Sequence, residues 1–388
     1  MIARRLLVIG MALLLAVQVV RNSAVAALAD SQPEVAARVW PGHPQAELSL
    51  GMTDIGRATH AGKPVGADTF KTIYAAAANA PLAPEPYLVR GIQAQLAGNE
   101  KMAEQAFVAA EWRDPRSLPA RYFLANYYFR AGDARNGLRE FANLARLTPH
   151  GRTSVAPYIA AYARDRSNWP ELRRLFGSDS ALEDESLTAM ASDPANADAI
   201  LRLADKAHRT AQSDWLRILV GNLVSEGQYE KARAIWISIS GVNSEQLLYD
   251  ARFSDTQAPA PFNWTLTSST VGLVERQRGG RLHVLFYGQD DGVLATQLLL
   301  LPPGTYRMTM QVSGSQKQLL GWSLTCDKSP APFATIGLDT LAGRPWVFTV
   351  AAGCAAQRLD LSGTSADMPQ QADVTISGLN LTSGRPNA

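Results

Sequence analysis

The histidines are the first side chains to test for metal chemistry. His43, His60, His150, His208 and His283 stand far apart, and no two share a helical face at ligand spacing. Cys326 and Cys354 are too few for a zinc site unaided, so neither a metal nor another cofactor is expected. The glycine-rich dinucleotide and phosphate loops and the Gly-x-Ser-x-Gly elbow are all missing from the sequence. Glycoside hydrolysis needs only two carboxylates at a set separation, which Asp290, Asp291 or Asp339 would supply, but Asp290-Asp291-Gly292 reads first as a turn. No catalytic residue is assigned, and the chain is read as a non-enzyme, with an unrecognised glycoside hydrolase as an alternative. Two kinds of binding chemistry are left. Asn126 and Arg130, one helical turn apart, suit a carboxylate or a peptide backbone, or are ordinary solvated residues. Aromatic rings suit the CH face of a sugar. Trp264, Trp322 and Trp346 are each in phase with apolar neighbours and read as core, whereas His283 and Tyr287 lie opposite Leu282, Val284 and Phe286 and form an outward patch.

The elements that position these residues fall into three parts: residues 1–29, 30–245 and 246–388. A chain of 388 residues is long enough for several cores. Its 37 basic residues against 35 acidic ones give no electrostatic footprint for nucleic acid, so none is expected as a partner. At the start, Arg4 and Arg5 precede an apolar run over residues 6–20. A spanning helix wants ~20 apolar residues, so this shorter run also suits a signal peptide, with small residues at Ala24, Ala26, Ala27 and Ala29 for cleavage. Apolar character resumes over 24–29, however, and Arg21 is able to reach back to headgroups, which favours an uncleaved anchor. The charge bias around the run puts the remaining chain outside the cytoplasm, in the periplasm of a bacterial inner membrane. There Cys326 and Cys354, each at or just past a predicted strand, are able to pair or remain as two buried thiols.

From 49 to 245 the apolar residues recur at helical spacing, and the pattern repeats itself. Pro81, Pro115 and Pro149 are 34 residues apart, as are Gly98 and Gly132, and Phe107 and Phe141. Tyr87, Gly91 and Ala94, the turn Gly98-Asn99-Glu100, then Ala103, Phe107 and Ala110 before Asp114-Pro115 make one unit. Leu124, Ala125, Tyr128, Gly132, Gly137 and Phe141 make the next, with Gly137 where alanine is usual. Leu216, Leu219, Leu223, Gly227, Ala232 and Trp236 belong to a later one. This stretch resembles the tetratricopeptide repeat, a helix-turn-helix unit of that period. The resemblance implies an α-α superhelix whose first helices line a groove for a protein partner, with Leu88, Ile92, Gln95, Tyr122, Asn126 and Arg130 facing it. Residues 152–212 are helical in pattern but off the period, with helices expected over 155–164, 171–176 and 197–207.

After 246 the pattern turns to short alternating runs between Gly, Pro, Asp and Ser clusters, an all-β signal. Strands are predicted over 262–266, 282–287, 294–300, 306–312, 319–326, 334–338, 346–350, 358–361 and 374–382, enough for an antiparallel sandwich or jelly roll. In the last, the apolar phase slips from Val374 and Ile376 to Leu379 and Leu381, which places a bulge at Ser377-Gly378. Phe262-Asn263-Trp264, Gln297 before Leu-Pro-Pro-Gly-Thr-Tyr, and Trp322 leading to Cys326 resemble the β-sandwich modules of carbohydrate-binding proteins. The resemblance implies contact with an envelope component such as a polysaccharide. The expectation is an envelope scaffold in surface polysaccharide biosynthesis or export, or else a carbohydrate-binding protein in which the repeats are a spacer.

Overall fold

The computed structural model describes residues 2–242, 246–368 and 370–384, with side chains from Leu7 onward. Residue 245, the expected end of the helical part, lies outside the described residues. The chain forms two compact units, residues 1–155 with 170–182, and residues 156–169 with 183–388.

The first unit begins with α1 (Ile2–Leu28), within which Leu7–Leu28 is long and apolar enough to cross a membrane. Residues 7–20 are exposed, but from Arg21 onward one face of the same helix packs inward. Val25 and Ala29 are fully buried against Ala36 of α2 (Pro33–Val39) and Ala46 of α3 (Pro44–His60). The Arg21 guanidinium lies 4.6 Å from the Trp40 ring centre, a cation–π contact.

Helical hairpins follow. α3 pairs with α4 (Ala67–Asn79), α5 (Glu85–Leu96) with α6 (Glu100–Arg113), and α7 (Leu118–Arg130) with α8 (Ala134–Leu147). The 34-residue period has a local cause. Gly98 and Gly132 adopt φ of +74° and +76°, which side chains resist, and the next residue caps the following helix: Asn99 accepts from the Met102 N–H at 3.1 Å, and Asp133 from Asn136 at 3.2 Å. A Cβ on Gly91 would meet the Phe107 ring at 2.4 Å, so glycine is what lets α5 and α6 approach. Gly137 departs from the usual alanine for the same reason, because Phe129 fills the space its Cβ would need, at 2.7 Å.

Where α6, α7 and α8 meet, an ion network is buried. Arg121 contacts Glu140 at 2.6 Å and Glu111 at 2.8 Å, and donates to the Pro115 carbonyl from Nε at 2.9 Å and Nη2 at 2.6 Å. α9 (Gly151–Tyr162) and α10 (Trp169–Ser178) lead to α11 (Ser180–Ala191), whose first turn is capped by Asp179 accepting from the Leu182 N–H at 3.1 Å. Arg146 and Arg152 each lie 3.2 Å from the same carboxylate. Burial alone would raise the Asp179 pKa, but the hydrogen bonds from Arg152, Leu182 and Arg146 outweigh it and hold the carboxyl below its ordinary value. A depressed carboxyl stabilises the fold above its unfolded pKa, and that contribution vanishes as pH falls through the folded value. Asp179→Ala is therefore expected to cost about 1–2 kcal/mol at pH 7 in urea unfolding followed by circular dichroism, with the difference closing toward about pH 3.

The second unit carries α12 (Ala197–Leu203), then a hairpin of α13 (Asp214–Ser225) and α14 (Tyr229–Ser240) whose turn residue Gly227 again has positive φ. Trp236 of α14 donates from Nε1 to the Pro259 carbonyl at 2.8 Å and meets Tyr249 edge-on at 4.9 Å.

Among the described residues ten strands follow: β1 (Thr265–Leu266), β2 (Gly272–Gln277), β3 (Arg281–Phe286), β4 (Gly292–Leu299), β5 (Gly304–Ser315), β6 (Leu320–Cys326), β7 (Pro332–Gly337), then after the short α15 (Leu338–Leu341), β8 (Trp346–Val350), β9 (Gln357–Gly363) and β10 (Ala372–Ser383). They form two antiparallel sheets, in the orders β1-β4-β9-β6-β7 and β2-β3-β10-β5-β8. Leu294, Leu324 and Leu361 of the first meet Val284, Met308 and Val374 of the second in one core. The phase slip in β10 is a bulge: the register with β5 shifts between Ser377 and Asn380, and Gly378 takes φ of +59°. Cys326 and Cys354 are disulfide-bonded, with Cα atoms 5.4 Å apart.

Candidate functional site

Two surfaces collect the residues able to bind a ligand, one in each unit. In the helical unit, Gln95 closes α5, Glu100 opens α6 and Arg130 ends α7. The Arg130 guanidinium pairs with Glu100 at 3.3 Å. The Gln95 side-chain amide faces it at 2.8 and 3.0 Å, the geometry of an amide oxygen accepting from both nitrogens. Asn126 donates to the Tyr122 carbonyl of its own helix at 3.0 Å. Tyr122 itself is 41% exposed. Gln95, Tyr122, Asn126 and Arg130 are thus brought to one side of α5 and α7, with Arg130 already tied to two groups of the chain.

Leu88 requires a correction. It is only 4% exposed and belongs with Phe107, Ala120 and Leu124 to the core that α7 closes over α5, so it cannot face an open groove. Ile92 is half-buried against the same core. The following repeat covers positions that one helix pair alone would leave outward. Sequence reasoning also passed over Tyr127, which donates to Glu104 at 2.9 Å and whose hydroxyl pKa is raised chiefly by that bond.

In the sandwich, Trp264, Trp322 and Trp346 are buried. His283 and Tyr287 are half-buried on or just beyond β3, and His283 Nε2 lies 3.0 Å from Asp373. Asp291 accepts from the Ser365 hydroxyl and N–H, both at 2.7 Å, and these bonds hold its carboxyl below the ordinary range. Asp290 is exposed, and Asp339 lies in the first turn of α15.

The outer face of the first sheet was not singled out from sequence. In register across it lie Gly337, Gly321 and Ser362, and next to them Thr335, Ser323 and Asp360. An open concavity of about 590 Å³ is lined here by Gln318, Ser323, Thr335, Arg344 and Ser362, with Gly321 adding no side chain to its floor and the Asp339 carboxylate lying against Gly337. Among the described residues, the Ser323, Thr335 and Ser362 hydroxyls and the Arg344 guanidinium have no partner within the chain. Beside it Asp360, 3% exposed, accepts from Thr296 at 2.6 Å and from Arg358 at 2.7 Å. The signal was present in the sequence only as single hydroxyl residues, Ser323 of β6, Thr335 of β7 and Ser362 of β9, and register between non-consecutive strands is needed to assemble it. A second hollow, of about 640 Å³, lies between residues 246–255 and 380–383, but there Asp250 is occupied by the Ser254 N–H and hydroxyl and the Asp255 N–H.

No protein-family model matches the chain, and no curated protein does. Three solved structures are similar in part. One is of accessory secretory protein 1, 2 and 3 in Streptococcus pneumoniae, at 10% identity over 37% of this chain and 99% of that one, with a TM-score of 0.26. Another is a CBM4 structure, at 12% identity over 35% and 99%, with a TM-score of 0.28. The third is yeast Tom70, at 13% identity over 54% of this chain and 45% of that one, with a TM-score of 0.29. Likenesses of this size assign no function. The class defined by the chain's own geometry is a helical-repeat unit joined to an antiparallel β-sandwich, behind an apolar N-terminal helix.

Proposed function

We propose that this chain is a non-catalytic scaffold of the bacterial cell envelope, tethered in the inner membrane by α1, with its sandwich contacting a polysaccharide in the periplasm and its repeats docking a protein. The observation that supports this most is the set of unpartnered hydroxyl and guanidinium groups on the outer face of the first sheet. Neutral polyols are recognised by such groups, each sugar hydroxyl both giving and accepting a hydrogen bond. The buried tryptophans Trp264, Trp322 and Trp346 take no part in it.

Calorimetric titration of the full chain with polysaccharide from the host's own envelope tests the reading. Saturable heat is expected, and Arg344→Ala, at an exposed position, should weaken it about tenfold while leaving the melting temperature unchanged. A folded chain that gives no heat would refute the glycan contact.

A carbohydrate-binding protein whose repeats are only a spacer is the second reading, favoured by the ties of Arg130 to Glu100 and Gln95. A photo-crosslinker replacing Tyr122 separates the two. A discrete adduct there, missing from a crosslinker at exposed Lys101, supports docking, and no adduct at either supports the spacer.

A further inference from the structure

The apolar run of α1, between Arg5 and Arg21, is shorter than the hydrocarbon core of a bilayer. An α-helix rises ~1.5 Å per residue, so the exposed stretch from Leu7 to Val20 measures about 20 Å. From Arg5 to Arg21, the charges that bracket the run, the helix measures about 24 Å. The hydrocarbon core is ~30 Å thick. The apolar stretch Leu7–Leu28 reaches that length, about 33 Å. Residues 21–28 must therefore enter the border of the apolar layer, yet Val25 in that segment is already covered by the domain, as is Ala29 just beyond it.

Whatever covers them is carried to the border with them. Ala36 and Ala37 of α2, Trp40 just beyond it and Ala46 of α3 do so. Around this contact α2 presents Val39, 36% exposed, and the half-buried Trp40 ring with Arg21 over it at 4.6 Å. An indole beside a guanidinium on a long stem suits the headgroup layer, where one end of each is apolar and the other wet.

We propose that α2, with its junctions to α1 and α3, is an interfacial surface that lies in the phospholipid headgroup layer, Val39 and Trp40 toward lipid. α1 is then both the tether and the first packed helix of the repeat unit. The proposal rests on α1 being retained as an anchor, and the test separates the two.

Both native cysteines are in the disulfide, so a single thiol introduced elsewhere can be labelled selectively. The full chain carrying Val39→Cys, or Gln105→Cys on an exposed position of α6 as control, is labelled with a fluorophore and reconstituted into phosphatidylethanolamine and phosphatidylglycerol vesicles. Some vesicles contain headgroup-nitroxide lipid. Loss of most of the emission at position 39 and none at 105 is expected. As a second measurement that avoids the label, the unlabelled chain should lose nitroxide-quenchable tryptophan emission on Trp40→Phe. Intact mass and vesicle flotation report the anchor. A chain missing residues 1–29, or one that does not float, overturns both readings. A full-mass chain that floats but is quenched equally at 39 and 105, with no change on Trp40→Phe, overturns the interfacial surface alone.

Discussion

Arg121→Met is expected to destabilise the helical unit by about 3 kcal/mol, the low end for breaking a buried ion pair. The loss comes from what stays behind. Glu140, 1% exposed, would keep only Arg139, at 3.2 Å, in place of a guanidinium at 2.6 Å. The Pro115 carbonyl would lose two donors at once. Arg121→Met with Glu140→Met, which removes both charges, is expected to recover most of the loss in urea unfolding, because matched apolar residues replace a buried pair at little net cost. If the double variant is no better than the single, the network is not what holds α7 to α8.

The deficit should also depend on pH, with a defined sign. Glu111 has a raised pKa, from burial first and then the Glu140 carboxylate, against the lowering pull of Arg121. Removing Arg121 raises it further. A carboxyl whose folded pKa is raised favours the fold below its unfolded pKa and loses that contribution as pH rises through the folded value. The Arg121→Met deficit is therefore expected to be full at pH 7 and above and to shrink toward about pH 4–5.

Replacing Cys326 and Cys354 together by serine should cost the sandwich about 3–4 kcal/mol, the loop-closure value for partners 28 residues apart. Cys326 ends β6 in one sheet, and Cys354 follows β8 of the other. Cys354 lies three residues before Gln357 of β9, the residue that pairs with Cys326, so the bond ties the end of β6 to the entry of its neighbour β9 and closes off the β7–α15–β8 excursion. Tryptophan emission during heating reads the effect, since Trp264, Trp322 and Trp346 all lie in this core. A melting transition unchanged by the double replacement, or by reducing agent, would show that the reduced chain is already confined.

How far the sequence was legible depended on how local the cause was. The repeat turns were readable because Gly98-Asn99 and Gly132-Asp133 set both the left-handed turn and the cap within two residues. The β10 bulge was readable for the same reason, being a phase change along one strand. α11 was not foreseen, because its buried face includes Glu183 and Ser186, which interrupt the apolar stripe; Glu183 accepts from the Asp205 N–H at 2.7 Å and lies 3.3 Å from His208. β2 was missed because Glu275, Arg276 and Gln277 hide its alternation, although Gly279-Gly280 before β3 marks a hairpin. Leu88 was misplaced, and the polar face of the first sheet overlooked, because both depend on neighbours far along the chain.

The strand orders also fix a timetable. β9 lies between β4 and β6, and β10 between β3 and β5, so in each sheet a middle strand is synthesised after both of its neighbours. Until it arrives, those neighbours hold open edges with unpaired N–H and C=O groups, a template for wrong pairing. The helical hairpins have no such wait, since each closes on contacts a few tens of residues apart and can form as it emerges. Synthesis thus delivers a repeat unit that folds progressively and a sandwich that folds at once, late, and in need of protection until β10 is through.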